Sequence, residues 1–405
     1  TDSGDLSVSS YSGTIKDAVG NAAEAASGDL GAVIVDANSP DFVSVAAVDG
    51  TYFVGNTIAI TVTYGEAVVG TGSGLTLSNG ATATYTSGSG TTDMVYTYQV
   101  AEGDTASADL SVSAYTGTLT DAAGNAAGAA SGDLGAVIID GDAPDFVSVA
   151  AADGSYKSGT NIDITVTWDE AVTVTGTPTL TLSNGATATY NSGSPNAALV
   201  FRYTVVEDQT DSGDLSVSSY SGTIKDAAGN TAGAASGDLG AVIVDANSPD
   251  FSSVAATDGT YFVGNTIAIT VTYVEAVVGT GSGLTLSNGA TATYTSGSGT
   301  TDMVYTYQVA EGDTASADLS VSAYTGTLTD AAGNAAGAAS GDLGAVIIDG
   351  DAPDFVSVAA TDGTYKVGDN IDITVTWDEA VTVTGTPTLT SVSYTHLTLP
   401  TKQDV

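Results

Sequence analysis

Apolar and polar residues alternate along short stretches of this chain. Ile58, Ile60, Val62 and Tyr64 are interleaved with Thr57, Ala59, Thr61 and Thr63, the period of a strand with one face buried. Met94, Tyr96, Tyr98 and Val100 repeat the pattern. About a hundred residues later the inward positions return as Ile162, Ile164, Val166, Trp168 and as Leu199, Phe201, Tyr203, Val205, so bulk is kept where identity is not. Leu75–Tyr85 predicts a hairpin closed by Asn79-Gly80 in a type I′ turn, and Asn184-Gly185 and Asn288-Gly289 repeat it. Further strands are expected around residues 42–47, 110–114 and 136–139. About seven strands per unit, separated by turn signals, predict an all-β, two-sheet antiparallel sandwich.

The sequence Asp36-Ala-Asn-Ser-Pro40-Asp-Phe42 returns in related form at Asp140, Asp245 and Asp349. A period of about 104 residues is too long for a solenoid repeat and long enough to enclose a core. Residues 36–139 and 245–348 differ only at Val43/Ser252, Val48/Thr257 and Gly65/Val274, and form an A type. Residues 140–244 form a B type. The expected domains are therefore 36–139 (A), 140–244 (B) and 245–348 (A). Residues 1–35 correspond to 210–244, the C-terminal part of a B-type domain, and 349–390 to its N-terminal part. The chain opens on Thr-Asp-Ser-Gly-Asp, without signal-peptide features, so it reads as an array cut at both ends. The linkers, such as Ile139-Asp-Gly-Asp-Ala-Pro144, are short and are not Gly/Ser coils, which predicts an elongated array.

Composition narrows the function. Among 405 residues, 47 are acidic and 6 basic, a net charge of −41. Phosphate neutralisation is out of reach, so nucleic acid is not an expected partner, nor is an anionic lipid surface. No apolar run is long enough to span a membrane. With no Cys and a single His, His396, there is no disulfide framework, thiolate metal site or Cys nucleophile, and little basis for a catalytic triad. Abundant Thr, Val, Tyr, Gly and Ser fit the all-β reading.

The repeats resemble bacterial immunoglobulin-like tandem repeats of large surface adhesins and related secreted proteins. The resemblance spans residues 1–390. It rests on Ala143-Pro144-Asp-Phe-Val-Ser-Val, Asp153-Gly154-Ser-Tyr156, Ile162-Asp-Ile-Thr-Val-Thr-Trp168-Asp-Glu170, Thr175-Gly-Thr-Pro178 and Gly222-Thr-Ile-Lys-Asp226-Ala-Ala-Gly229-Asn230. It implies stalks outside the cell, often with calcium at domain junctions. The antibody Cys pair is missing. Residues 391–405 break the pattern inside a strand pair, and Val392–Thr401 resembles a translated sequencing adapter, which would make this tail non-native and leave His396 without a role.

Enzymatic activity is not expected. Asp169 and Glu170 are neighbours in a strand and point to opposite faces, so they cannot flank one glycosidic bond. Lys–Asn cross-links are excluded in the A type, because residues 36–139 contain no Lys or Arg. Gly-rich calcium nonapeptides and EF-hand spacing are also missing. Clustered carboxylates at the junctions point instead to Ca2+, which accepts six to eight hard oxygens in irregular geometry. Candidate ligands at the first complete junction are Glu102, Asp104, Asp140, Asp142, Asp169, Glu170 and Asp226. At the last junction they are Asp349, Asp351, Asp378 and Glu379. Junctions entering an A-type domain offer Asp36, Asn38 and Glu66, or Asp245, Asn247 and Glu275. They have fewer anions, so tighter binding is expected where a B-type domain is entered.

The expected function is a calcium-stiffened spacer in the stalk of a large bacterial adhesin or biofilm protein, at the cell surface. The alternative is a set of modules that bind carbohydrate or another cell surface, accessory to a secreted polysaccharide-active enzyme. Possible partners are other cells, polysaccharide or copies of the chain. Most Tyr residues, with Trp168 and Trp377, fall on inward positions, which favours core packing over a sugar platform.

Overall fold

The computed structural model describes residues 2–71, 74–279 and 283–392. These contain strands, turns and loops, and no helix. Two compact units are formed, Thr1–Asn247 and Ser248–Val405. Buried apolar side chains fall into three separate clusters. Two lie in the first unit, one spanning Ile58 to Ile139 and one Ile162 to Ala246. The third, Ile267 to Ile348, lies in the second unit.

In the first A-type repeat, alternation is what builds the core. Thr57–Val68 pairs antiparallel with Thr91–Gln99, and the ladder sets Ile58 against Tyr98, Ile60 against Tyr96 and Val62 against Met94. All six side chains are at most 3 % exposed, while Thr57, Ala59 and Gln99 face solvent. Tyr96 also meets Tyr85 and Tyr115 edge-on, with ring centroids 6.0 and 6.4 Å apart. Such T-shaped pairs add about 0.5–1.5 kcal/mol each beyond area burial.

The main sheet has seven strands, in the order Gly132–Asp133, Ser111–Thr116, Gly74–Leu77, Thr82–Ser87, Thr91–Gln99, Thr57–Val68, Phe42–Ala46. It folds back on itself. A Cβ on Gly132 would lie 3.4 Å from Val45, and Ala47 donates its N–H to Leu134 across the closing edges. A second sheet of three strands, Gly50–Phe53, Val137–Gly141 and Asp104–Ser107, caps the core. All pairings are antiparallel except Gly50–Phe53 with Val137–Gly141. This short parallel pair sets Phe53 beside Asp140, at the exit of the repeat.

The B-type repeat keeps this plan with a different central strand. Asn161–Leu182 runs unbroken for 22 residues, pairing first with Asn196–Thr204 and then with Ser216–Lys225. Trp168 is 1 % exposed in its core and donates its indole N–H to Gly233. In the second unit, residues 251–349 repeat the A-type ladder.

The hairpin turn differs from the expected type I′. Gly80 takes a φ of 87°, whereas Asn79 stays at negative φ. Gly80 N–H donates to Leu77, and Leu77 N–H to Ala81, the pattern of a type I turn followed by a bulge at a left-handed residue. Asn79 has a reason to stay: its Oδ1 accepts from Ala81 N–H, and its Nδ2 donates to the Tyr98 hydroxyl 3.1 Å away.

Residues 2–35 and 349–392 are sparser. Each holds one two-stranded pair, Ser3–Val8 with Gly28–Val35 and Phe355–Ala360 with Ile373–Trp377. Trp377, expected in a core, is 39 % exposed, because the strands that cover Trp168 in the complete B-type repeat have no counterpart around it. His396 and nearly all of the adapter-like stretch lie outside the described residues.

Candidate metal centre

The junction between the first A-type and B-type repeats is built on the loop Asp226–Asn230. Asp226 is buried, and its Oδ1 accepts from the backbone N–H of Gly229 and Asn230 at 2.5 and 2.9 Å. Its Oδ2 accepts from Asn230 Nδ2 at 2.7 Å. That Nδ2 also reaches the carbonyl oxygens of Asp140 and Asp142, at 3.3 and 3.0 Å, while Asn230 Oδ1 accepts from Val54 N–H at 2.7 Å. One side chain thus ties together the preceding repeat, the linker and the following repeat.

Glu170 lies against this frame. Its Oε1 is buried without a hydrogen-bond partner. Burial, then the charges of Asp226, Asp140, Asp142 and Asp169, push its carboxyl up to about 7. An orphaned carboxylate oxygen facing four other acids fits a hard cation. Around it, Asp169 Oδ1 accepts from Asp145 N–H at 2.8 Å, and Glu102 of the preceding repeat accepts from Ala143 N–H at 3.2 Å. Asp140 Oδ1 accepts from Asp142 N–H at 3.3 Å. Asp104 is engaged elsewhere: its Oδ2 accepts from the Tyr98 hydroxyl and Ala101 N–H at 2.7 and 2.8 Å.

The entry to the A-type repeat gathers its acids more tightly. Asp36, Glu66 and Asp121 each place one carboxylate oxygen within 4.8 Å of the other two. Among the described residues, Asp140, Glu170 and Asp226 do not form so close a trio. Partial burial, followed by Asp36, Asp121, Asp2 and Asp41, raises the Glu66 carboxyl above its usual range. Asp121 is 4 % exposed; burial works against its charge, but donors from Asn125 and Gly124 more than offset this and hold it low. Asp121 was not among the expected ligands. Aligning it with Asp226, one repeat later, is the signal that finds it.

In the second unit, Glu311 accepts from Ala352 N–H at 3.3 Å and Asp378 from Asp354 N–H at 2.7 Å, copying Glu102 and Asp169. Glu379 is raised by partial burial and then by Asp349, Asp351, Asp378 and Glu311. Asp349, Asp351 and Glu379 line one cleft with Phe262 and Val263.

No family model and no curated protein sequence matches the chain. Among solved structures it is similar to titin domains I67–I69 in an E-to-A variant, at 11 % identity and a TM-score of 0.33, covering 77 % of this chain and 99 % of that one. It is also similar to the mouse nectin-like molecule 4 ectodomain, Ig1–Ig3 (9 %, TM-score 0.27, 75 % and 99 % covered). A marsupial T cell receptor is a third (8 %, TM-score 0.29, 74 % and 98 % covered). The chain itself is a tandem of all-β sandwiches, with no helix long and apolar enough to cross a membrane among the described residues.

Proposed function

We propose that the chain is a run of spacer domains from the extracellular stalk of a large bacterial adhesin or biofilm protein, stiffened at its junctions by Ca2+. The domains are residues 36–139, 140–244 and 245–348, flanked by parts of two more. The observation that carries this reading is the convergence of the linker acids Asp140 and Asp142 and of Asp169 and Asp226 of the following repeat on Glu170, whose Oε1 is buried and unpaired.

Asp140, Asp142, Glu170 and Asp226 would hold the ion on the B-type side, with Glu102 from the preceding domain. Asp36, Glu66 and Asp121 would do so at the A-type entry. A bound divalent cation supplies the positive charge that this chain lacks. Without it, like charges on both sides of a linker repel and favour opening. With it, the same charges hold the domains together, by about RT ln(1 + [L]/Kd).

Calorimetric titration of the whole chain with CaCl2 tests this. Saturable binding is expected, with Glu170→Gln and Glu66→Gln each removing one class of site. No heat at millimolar calcium means the carboxylates are a solvated surface that only keeps the protein soluble.

A further inference from the structure

Between the first A-type and B-type repeats there is a contact that owes nothing to a cation. The ring of Phe53, at the end of the Gly50–Phe53 strand of the A-type repeat, lies against Gly229, where a Cβ would stand 2.8 Å from the ring carbon Cε1. Lys225 Nζ sits 5.6 Å from the ring centroid, within cation–π range. Val54 N–H donates to Asn230 Oδ1 beside it. Phe262 is the same residue in the second A-type repeat, and the sequence after it ends before the stretch corresponding to Lys225–Asn230. Phe53 is half-buried, whereas Phe262 is 61 % exposed. The B-type loop is what covers the ring.

The two repeat types carry different residues at these positions. Phe53 pairs with Asp140 in the short parallel ladder, and Lys157 pairs with Asp245 in the equivalent ladder, so Lys157 holds Phe53's place at the exit of the B type. Lys225 bridges Thr231, and Thr120 bridges Ala126 in the same loop of the A type, so Thr120 holds Lys225's place at the entry. The A type therefore leaves with an aromatic ring and the B type receives it with a cation. A B-type exit set against a B-type entry would oppose Lys157 to Lys225 and offer no ring.

We propose that the junction surfaces are type-matched: the exit of an A-type domain is an interaction surface for the entry of a B-type domain, recognised by Phe53 seated on Gly229 under Lys225. Two B-type domains in succession are disfavoured by like charge at the same place. Order along the array is then written into four positions, 53, 120, 157 and 225, independently of the calcium reading.

The chain has no Cys, so cysteines placed at exposed Ala59 and Thr187 carry the only two spin labels, one per domain. Pulsed electron–electron distance measurement in chelator reads how tightly the two domains are held. At the same metal-free condition the parent is expected to give a narrower distribution than Phe53→Lys, with Lys225→Thr intermediate, whatever further narrowing calcium adds. The exchange Phe53→Lys with Lys225→Phe restores a ring and a cation with partners reversed, and should narrow the distribution again. Added salt should narrow Phe53→Lys as well, because its two lysines repel through solvent. Phe53→Thr removes the ring without adding charge and serves if the lysine variant fails to fold. An unchanged distribution in both Phe53 variants, or no recovery in the folded exchange variant, overturns the proposal.

Discussion

The hydroxyl of Tyr98 donates to Asp104 across 2.7 Å, and Asp104 spends the same oxygen on Ala101 N–H. In the B-type repeat Tyr203 donates to Gln209 at 2.6 Å, and Gln209 accepts from Val206 N–H at 3.0 Å. A neutral amide does the work of the carboxylate. The role is therefore to close the loop over a buried phenol, and it needs an acceptor, not a charge. Asp104→Asn is expected to leave melting and calcium binding unchanged. Asp104→Ala leaves a buried hydroxyl short of an acceptor, at about 1–3 kcal/mol. Calorimetric melting and calcium titration of both variants check this, and weakened calcium binding in Asp104→Asn would return this residue to the metal site.

Glu170 gives the chain a pH dependence in the absence of metal. Its folded pKa is raised from the ordinary carboxylate value to about 7, so the folded state binds a proton more readily than the unfolded state does. Stability from this group is present below about 4.5 and is lost as pH rises towards 7. In chelator, the B-type repeat should melt lower at pH 7.5 than at pH 5, and Glu170→Gln should flatten that slope. Calcium should reverse it at pH 7.5. Asp121, held low, acts in the opposite sense, but only where pH falls below the usual Asp range. Melting that does not change between pH 5 and 7.5 would remove Glu170 from this role.

Much of the fold is legible in the sequence, because inward alternation and a buried ladder are the same fact seen twice. Ile58, Ile60, Val62 and Tyr64 could be assigned to a core from their period alone, and they form it. Turn detail is less legible. Asn-Gly is compatible with two hairpin turns, and the choice is made by Tyr98, which is 19 residues away and holds the Asn79 amide. Site residues divide in the same way. Asp140 and Asp142 stand in the linker and Asp169 and Glu170 are an adjacent acidic pair, both visible in the sequence, and all four bear on the same cluster. Asp104 looks equivalent by composition, yet it is drawn inward by a phenol that only the fold reveals. Asp121 lies 85 residues from Asp36, as Asp226 lies 86 from Asp140, and carrying the B-type assignment across the repeat period is what marks it.

Asn230 and Asn125 are the same residue in two repeats with unequal duties. Both close their own loop onto an Asp, Asn125 onto Asp121 and Asn230 onto Asp226. Asn125 Nδ2 also reaches the Asp36 carbonyl at 3.2 Å. Asn230 reaches the carbonyls of Asp140 and Asp142 and accepts from Val54. Asn230→Ala leaves more groups unpaired, so hydrogen exchange is expected to accelerate in the linker 139–145 as well as in its own loop. Asn125→Ala should loosen its own loop and the residues beside Asp36. Equal, purely local effects would show that Asn230 does not hold the linker.

Two glycines of the A-type repeat separate strain from collision. Gly80 and Gly88 both take the left-handed conformation, with φ of 87° and 110°. Around Gly80 a Cβ would meet nothing within 4 Å, so Gly80→Ala costs backbone strain alone, about 1–2 kcal/mol. At Gly88 a Cβ would stand 2.0 Å from the carbonyl oxygen of Asp93 and 2.9 Å from Met94 Cα, both backbone atoms that cannot swing away. Gly88 ends the Thr82–Ser87 strand where the register slips against Val95, and Met94 beside it is fully buried. Relief therefore requires moving Met94 and with it the Ile60–Tyr96 ladder. Gly88→Ala should cost several kcal/mol more than Gly80→Ala, with Gly80→Asn milder than either because Asn tolerates this region best. Scanning calorimetry of the whole chain reads both, since each variant alters one of the three complete repeats and leaves the other two as internal references. If Gly88→Ala melts no lower than Gly80→Ala, the backbone of the Thr82–Gln99 hairpin is more yielding than its contacts imply.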